Sequence, residues 1–169
     1  MGCPCALHLE ADATSIAQAA HAAVVVECMR LERKYSHYRG DSLVARIAAS
    51  AGSDIEIDDE TADLLDFAAA LHAQSSGLFD ISAGALTWLW DAQNGRLPNP
   101  SEITLALAVS GWRRVQWRRP RLRLDVPGMR LDLGGIVKEY AADRCAKICR
   151  DAGVTAGVVD LGGDLALIG

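Results

Sequence analysis

Residues 131–169 read LDLGGIVKEYAADRCAKICRDAGVTAGVVDLGGDLALIG. The pattern predicts a short extended run over 131–133, a turn at the glycine pair 134–135, and an amphipathic helix that stops at Gly153. A strand over 156–160 then leads into a second Asp-Leu-Gly-Gly sequence. The start of a helix favours negative charge because of the helix dipole, so the first glycine pair is a candidate phosphate site. The same pair could equally be a packing turn.

The rest of the chain mixes helical and extended patterns. Apolar spacing predicts a long helix that reaches Lys34 and is capped by Asp12 or Thr14. Further helices are predicted over residues 42–49, 59–74, 82–90 and 101–110. Alternation predicts strands over residues 3–10 and 55–57 and a β-meander over 111–133. Because strands and helices do not alternate regularly, we expect an α+β fold in one domain over 1–169 rather than a doubly wound sheet.

The composition indicates a compact protein without a charged partner surface. Half of the 169 residues are hydrophobic, which is enough for a core. The 17 basic and 22 acidic residues give a formal net charge of −5, so we expect no nucleic-acid partner. No apolar run is long enough to span a bilayer, and the N-terminus lacks a signal-peptide pattern. The chain as given is therefore expected to be cytoplasmic.

The five cysteines favour a reducing compartment, since an odd number without dense spacing is unlike a disulfide framework. Cys3 and Cys5 share one face of a predicted strand, and Cys145 and Cys149 share one face of a predicted helix. A zinc site could use both pairs, but the spacings match no common zinc motif. We expect buried, inert thiols.

An arginine-rich run surrounds Trp112 and Trp117. Its members are Arg113, Arg114, Arg118, Arg119, Arg121 and Arg123. Arginines beside aromatic rings are typical of nucleic-acid binding surfaces. On a β-hairpin, however, these arginines mostly share the face opposite the tryptophans, which favours a solvated sheet face.

Residues 132–143, DLGGIVKEYAAD, resemble the D-L-G-G-I-A-K-G-Y-A-x-D segment of the ApbE family, the FAD:protein FMN transferases. Other stretches resemble the family in the same order: Met1-Gly2, Ser36-His37-Tyr38 with Asp41-Ser42, Gly77-Leu78-Phe79-Asp80-Ile81-Ser82 before Leu86 and Trp90, and Asp160-Leu161-Gly162-Gly163-Asp164. The resemblance spans essentially the whole chain. It implies an ApbE-like, T-fold-like mixed sheet with packed helices, of which this chain is expected to be the N-terminal portion.

The resemblance also implies an enzymatic activity. Members of the family transfer FMN from FAD to a Thr or Ser hydroxyl of a target protein, depend on Mg²⁺ and release AMP. FAD as the substrate, Mg²⁺ and an acceptor flavoprotein are therefore the expected partners, and a homo-oligomer is allowed. Many members are exported lipoproteins, so a removed leader would imply a periplasmic or membrane-anchored protein.

Particular residues take roles through this resemblance. The positions implied to contact FAD are Met1, Tyr38, Leu78, Phe79, Asp80 and Lys138. Gly134 and Gly135 would form the phosphate loop, and the backbone carbonyl of Ala141 would hold Mg²⁺. No catalytic residue is assigned. The residues alone favour Asp80 as a cap of a helix at Ser82, and the alternative for Lys138 and Ala141 is that both are ordinary helix positions.

The chain departs from the family pattern at three positions and in length. Glu139 replaces a usual glycine and brings negative charge near the expected phosphates. Cys3 replaces a threonine, and Asp160 stands where asparagine is common. The family's later segment, with an aspartate and a threonine for Mg²⁺ and a histidine loop, has no counterpart here.

Two alternatives remain beside the transferase. One is a non-catalytic flavin-binding or scaffolding module that another chain completes. The other is an actin-like ATPase whose phosphate loops are the two Asp-Leu-Gly-Gly turns. The helix that begins directly after Gly135 argues against the ATPase, because its first loop lies in a β-hairpin.

Overall fold

The computed structural model of the chain describes residues 2–90 and 95–169. Its strands are β1 (Cys5–Glu10), β2 (Ile55–Glu56), β3 (Val115–Arg118), β4 (Arg121–Leu124), β5 (Ala156–Leu161) and β6 (Leu165–Ile168). Its α-helices are α1 (Thr14–Tyr35), α2 (Leu43–Ala49), α3 (Asp59–Gln74), α4 (Gly84–Thr87), α5 (Pro100–Ala108) and α6 (Gly134–Asp151). The described residues form two compact units. Unit 1 joins the residues up to Ser36 with Gly134–Gly169, and unit 2 is His37–Leu133.

Unit 1 is an antiparallel sheet in the order β1-β5-β6 together with helices α1 and α6. The register of β1 on β5 pairs Cys5 with Leu161 and Glu10 with Ala156. Helix α6 packs against α1, β5 and β6. Its buried face consists of Ile136, Val137, Ala141, Ala142, Cys145, Ala146 and Cys149. The helical spacing of these residues is what buries one stripe of α6 and leaves its other face in water.

Unit 2 contains an antiparallel sheet in the order β2-β4-β3, with helices α2 to α5. Along β4 the side chains alternate, since Leu122 and Leu124 are buried while Arg121 and Arg123 are exposed. The prediction of an exposed arginine face on this hairpin is therefore confirmed. Its core also includes Ile47, Leu65, Met129, Leu131 and Leu133, all less than about 3% exposed.

Helices and small antiparallel sheets make an α+β fold, as predicted. The predicted helix over 59–74 has the same bounds in α3, whose first turn is capped by Asp58 through a bond from the Thr61 amide. The expected cap of α1 by Asp12 or Thr14 is wrong, because the N-cap position is Ala13 and no side chain bonds there. The single domain over 1–169 stays a prediction.

Two predicted elements near the functional motifs are wrong. Residues 131–133 are not a strand: an isolated bridge pairs the preceding Arg130 with Ala83, and α6 begins at Gly134. The predicted helix over 82–90 is reduced to α4, with Ala83 rather than Ser82 at its N-cap. The meander over 111–133 becomes the β3-β4 hairpin after a 3-10 helix, Trp112–Arg114.

The cysteines all belong to unit 1 and are reduced. Cys145 and Cys149 are buried, as predicted, but Cys5 is exposed, so the expectation of a buried thiol is wrong there. Over residues 2–90 and 95–169, no helix combines the length and apolar character that a bilayer span requires.

Candidate functional site

In unit 2, the tripeptide Leu78-Phe79-Asp80 lies in the tight turn that follows α3. Ser76 and Gly77 both take positive φ angles, 54° and 84°, which reverse the chain. The Phe79 amide donates to the Ser75 hydroxyl at 2.9 Å, and the Phe79 carbonyl lies 2.9 Å from Nδ1 of His72. Local hydrogen bonds therefore fix the backbone of the tripeptide.

Asp80 accepts several of the hydrogen bonds that hold this turn in place. Its Oδ1 accepts hydrogen bonds from the Ser82 amide at 2.8 Å and the Ser82 hydroxyl at 2.6 Å, while Oδ2 accepts from the Trp112 amide at 3.1 Å. The Gly111 amide donates to the Ser82 hydroxyl at 2.9 Å. Asp80 and Ser82 thus join the loop after α3 to the start of the β3-β4 hairpin. Oδ1 already accepts two bonds, whereas Oδ2 accepts one and can take a second, so Asp80 can still accept from a ligand through Oδ2.

Two side chains of the predicted set are strongly exposed. Leu78 is 91% exposed and Tyr38 is 80% exposed. Both side chains are therefore accessible to a ligand. The Tyr38 ring lies 4.0 Å from the His37 ring, centroid to centroid.

The segment before α6 closes a small cleft in unit 2. The Asp132 amide donates to the Ile81 carbonyl at 2.7 Å, and Asp132 Oδ1 lies 3.7 Å from His37 Nδ1. The Arg130 guanidinium stacks over the Trp88 ring at 4.7 Å. Gly84 lets these segments approach, because a Cβ there would lie 2.7 Å from the Arg130 carbonyl oxygen. Unit 2 therefore brings together one residue from each of three stretches that resemble the family: His37, Ile81 and Asp132.

In unit 1, Gly134 and Gly135 are the first two residues of α6, and both are exposed. The predicted glycine turn is thus the first turn of the helix itself. Lys138 follows one turn later, and its Nζ lies 2.9 Å from Asp164 Oδ2. Hydrogen bonding and charge attraction from Asp164 raise the pKa of Lys138.

Asp164 directly follows the second Asp-Leu-Gly-Gly sequence. This sequence forms the β5-β6 turn, where Gly162 and Gly163 take φ angles of 72° and 99°. The Gly163 amide donates a hydrogen bond to Asp160 Oδ1 at 2.8 Å. Within unit 1, the pair Lys138–Asp164 therefore joins the first turns of α6 to the β5-β6 turn. Sequence reasoning did not identify Asp164, Ser82 or His37 as site residues, although D-x-S spacing is typical of a side-chain turn.

Ala141 and Met1 complete the predicted set. Ala141 is fully buried in α6, so its side chain packs into the core. Among the described residues no three His, Cys, Asp or Glu side chains gather as metal ligands. These residues alone do not fit a Mg²⁺ site, and Ala141 as a ligand stays a prediction. Met1 lies outside the described residues.

Comparison with known proteins identifies relatives along the whole chain. The model of the ApbE family matches residues 1–169. The FAD:protein FMN transferase of Treponema pallidum is 31% identical over 148 residues, which are 82% of this chain and 41% of that protein. The corresponding transferase of Salmonella typhimurium is 29% identical over 140 residues, 78% of this chain and 40% of that protein.

Solved structures show the same relationship. The apo flavinyl transferase ApbE of Pseudomonas stutzeri superposes with a TM-score of 0.81 at 27% identity, covering 98% of this chain and 54% of that one. The ApbE protein of Thermotoga maritima gives 0.85 at 30% identity, covering 96% and 55%. This chain thus spans about two fifths of the length of the curated relatives that it matches. With its family model matched from end to end, the chain belongs to the ApbE family.

Proposed function

We propose that this chain takes part in transferring FMN from FAD to a Thr or Ser hydroxyl of an acceptor flavoprotein, with release of AMP. The observation that carries the proposal is the ApbE segment 132–143 itself, which folds into an exposed helix start with Lys138 one turn inside. Family membership and the names of the relatives support the same activity.

In this reaction the acceptor hydroxyl oxygen bonds to the phosphorus of the FMN half of FAD. The P–O bond to AMP breaks, AMP leaves with its oxygen, and the hydroxyl proton is released. Developing negative charge on the pyrophosphate needs positive partners. We assign that role to the dipole of α6 at Gly134 and Gly135 and to the ammonium of Lys138.

Other residues would hold the remainder of FAD. Tyr38 and Leu78 offer exposed apolar surface suited to an aromatic ring system. Phe79 is half-buried beneath the turn, and Asp80 retains acceptor capacity for an amino group or ribose hydroxyls. Each of these contacts is a proposal for one residue of unit 2.

Charge supports a requirement for a divalent cation. Asp164 neutralises Lys138, and the exposed neighbour Glu139 adds one negative charge, so the three side chains carry a net charge of −1. This net negative charge would repel a pyrophosphate. We therefore propose that FAD binding depends on Mg²⁺, and we assign no reaction step to the ion.

The proposal is tested by calorimetric titration of FAD into the full chain with and without Mg²⁺, together with chromatographic detection of AMP. Lys138→Ala should weaken FAD binding about tenfold, whereas Lys147→Ala should not. Lys147 is the matched control because it also lies on α6 and also pairs with a carboxylate, Asp151. Equal effects of the two substitutions, or no FAD binding, would contradict the proposal.

A second candidate function is flavin holding without turnover. It needs only the residues that we assign to FAD contact, such as the exposed Tyr38 and Leu78. Mg²⁺-sensitive FAD binding without AMP release would support this candidate over the transferase.

A further inference from the structure

Helices α1 and α6 of unit 1 carry two thiols in contact. Cys28 Sγ lies 3.6 Å from Cys145 Sγ, although the two residues are 117 positions apart in the chain. A disulfide bond is about 2 Å long, so the two sulfurs must move closer together before they can bond. The five cysteines are free, so both groups are available for reaction.

An ion pair holds the two helices in register at the same level. Glu27 precedes Cys28, and Arg144 precedes Cys145. Arg144 Nε donates to Glu27 Oε1 at 3.0 Å, and Arg30 donates to the same carboxylate at 2.8 and 2.9 Å. Glu27 is only 8% exposed, whereas its partner Arg144 has a side chain that is 43% exposed. The ion pair between the preceding residues therefore keeps the two thiols next to each other.

The two thiols differ in access and in acidity. Cys145 is fully buried, whereas Cys28 is part-exposed. A hydrogen bond from the Cys145 thiol lowers the pKa of Cys28 to about 7, and the same interaction raises the pKa of Cys145. Near neutral pH, Cys28 is thus the nucleophile that a small oxidant can reach. Cys145 is the buried thiol that can react with the oxidised Cys28.

We propose that Cys28 and Cys145 form a reversible disulfide when the protein meets a hydroperoxide. The Cys28 thiolate attacks the peroxide, takes one oxygen as a sulfenic acid, and releases hydroxide or alkoxide, which takes up a proton. The Cys145 sulfur then attacks the Cys28 sulfur, its proton leaves with the hydroxyl group, and water departs as the S–S bond forms. Two thiols lose two electrons and two protons, and the peroxide is reduced to two molecules of water or to water and an alcohol.

The other cysteines serve as internal comparisons. Cys149 is buried on the same helix, and its burial raises its pKa, so it should resist oxidation. Cys5 is exposed, so a small oxidant can reach it, while burial of the thiol and the neighbouring Cys3 raise its pKa. Simple exposure would predict oxidation at Cys5 first, whereas the proposal predicts that the linked pair accumulates.

The test treats the full chain with one equivalent of hydrogen peroxide, blocks the remaining thiols with an alkylating agent, and maps linked peptides by mass spectrometry after proteolysis. We expect a Cys28–Cys145 link that a dithiol reductant removes. The link should persist in Cys149→Ser. In Cys145→Ser, the Cys28 sulfenic acid should accumulate and react with a dimedone probe.

Circular dichroism before and after treatment confirms that the measured protein is folded. In the folded wild-type protein, a Cys28 that stops at sulfenic acid, or that links to Cys3 or Cys5 instead, overturns the proposal. So does a Cys28–Cys145 link that forms only in denaturant. The decisive measurement is made on the wild-type protein. The proposal can therefore be refuted even if neither variant folds.

Discussion

The Lys138 ammonium lies 2.9 Å from the Asp164 carboxylate. Lys138 belongs to the helix that opens with the first Asp-Leu-Gly-Gly sequence, and Asp164 follows the second. A residue that follows the first sequence therefore supplies a cation, and the residue that follows the second supplies its counter-ion. The pair sets the charge at the helix start where we propose that FAD phosphates bind.

Asp164→Asn should free the charge of Lys138. Without added Mg²⁺, FAD binding should tighten roughly threefold, since the local negative charge falls by one. The raised pKa of Lys138 should fall back toward its ordinary value, measurable by NMR titration of the Lys138 side chain. Asp151→Asn makes the same change in net charge beside Lys147, so it is the control and should leave FAD binding unchanged.

Glu27→Gln should make stability depend less on pH. Hydrogen bonds from Arg30 and Arg144 lower the pKa of Glu27 below 4.5, so its contribution is present above that pH and is lost as pH falls through the lowered value. At pH 7 the substitution should reduce the free energy of unfolding by about 1–2 kcal/mol. Urea unfolding from pH 7 to 3 should show the two proteins converging in acid. A constant difference over that range would contradict this, and exposed Asp143→Asn is the control.

Gly84→Ala should destabilise unit 2 by about 2 kcal/mol or more. Its Cβ would meet backbone atoms at 2.7–2.9 Å, from the carbonyl groups of Arg130 and Leu131, and backbone atoms cannot move aside as a flexible side chain would. Gly40→Ala is the matched control, because nothing lies within 4 Å of its added Cβ. Thermal unfolding of the two variants should separate them, and equal melting temperatures would show that the close approach is not needed.

Leu78→Ala should weaken FAD binding without changing stability, because the side chain is 91% exposed and contributes nothing to the core. Leu97→Ala, at a side chain that is 79% exposed, should change neither property. Asp80→Ala should lower stability by about 2 kcal/mol, since buried Ser82 and two backbone amides lose their acceptor. Calorimetric titration with FAD and thermal unfolding check these outcomes together. Unchanged FAD affinity in Leu78→Ala would remove Leu78 from the proposed site.

Local patterns predicted the elements whose structure depends on local interactions. The spacing of apolar residues predicted α3 to its ends, and Gly153 stops α6 with a φ of 91°, as its lack of a side chain suggested. Leu131 and Leu133 failed as a predicted strand because a strand needs a partner. They are buried by packing instead, at 1% and 2% exposure.

Several of the contacts on which the proposals rest connect positions that are far apart in the sequence. Neither residue of the Cys28–Cys145 contact carries a local signal for the other, because only the packing of α1 on α6 brings them together. The same holds for Trp112, whose amide binds Asp80 across 32 positions. Motif resemblance identified the stretches that matter, while the fold determined which atoms meet.

The pairing of β1 with β5 has a consequence for how the chain is made. Glu10 pairs with Ala156, and the Thr155 amide donates to the Glu10 carbonyl at 3.0 Å. A ribosome therefore releases the first strand long before its partner exists, and closing so large a loop carries an entropic cost and slows folding. All of His37–Leu133 emerges in the interval and can fold first. We expect β1 to acquire protection from hydrogen exchange only after β5, its partner, has left the exit tunnel.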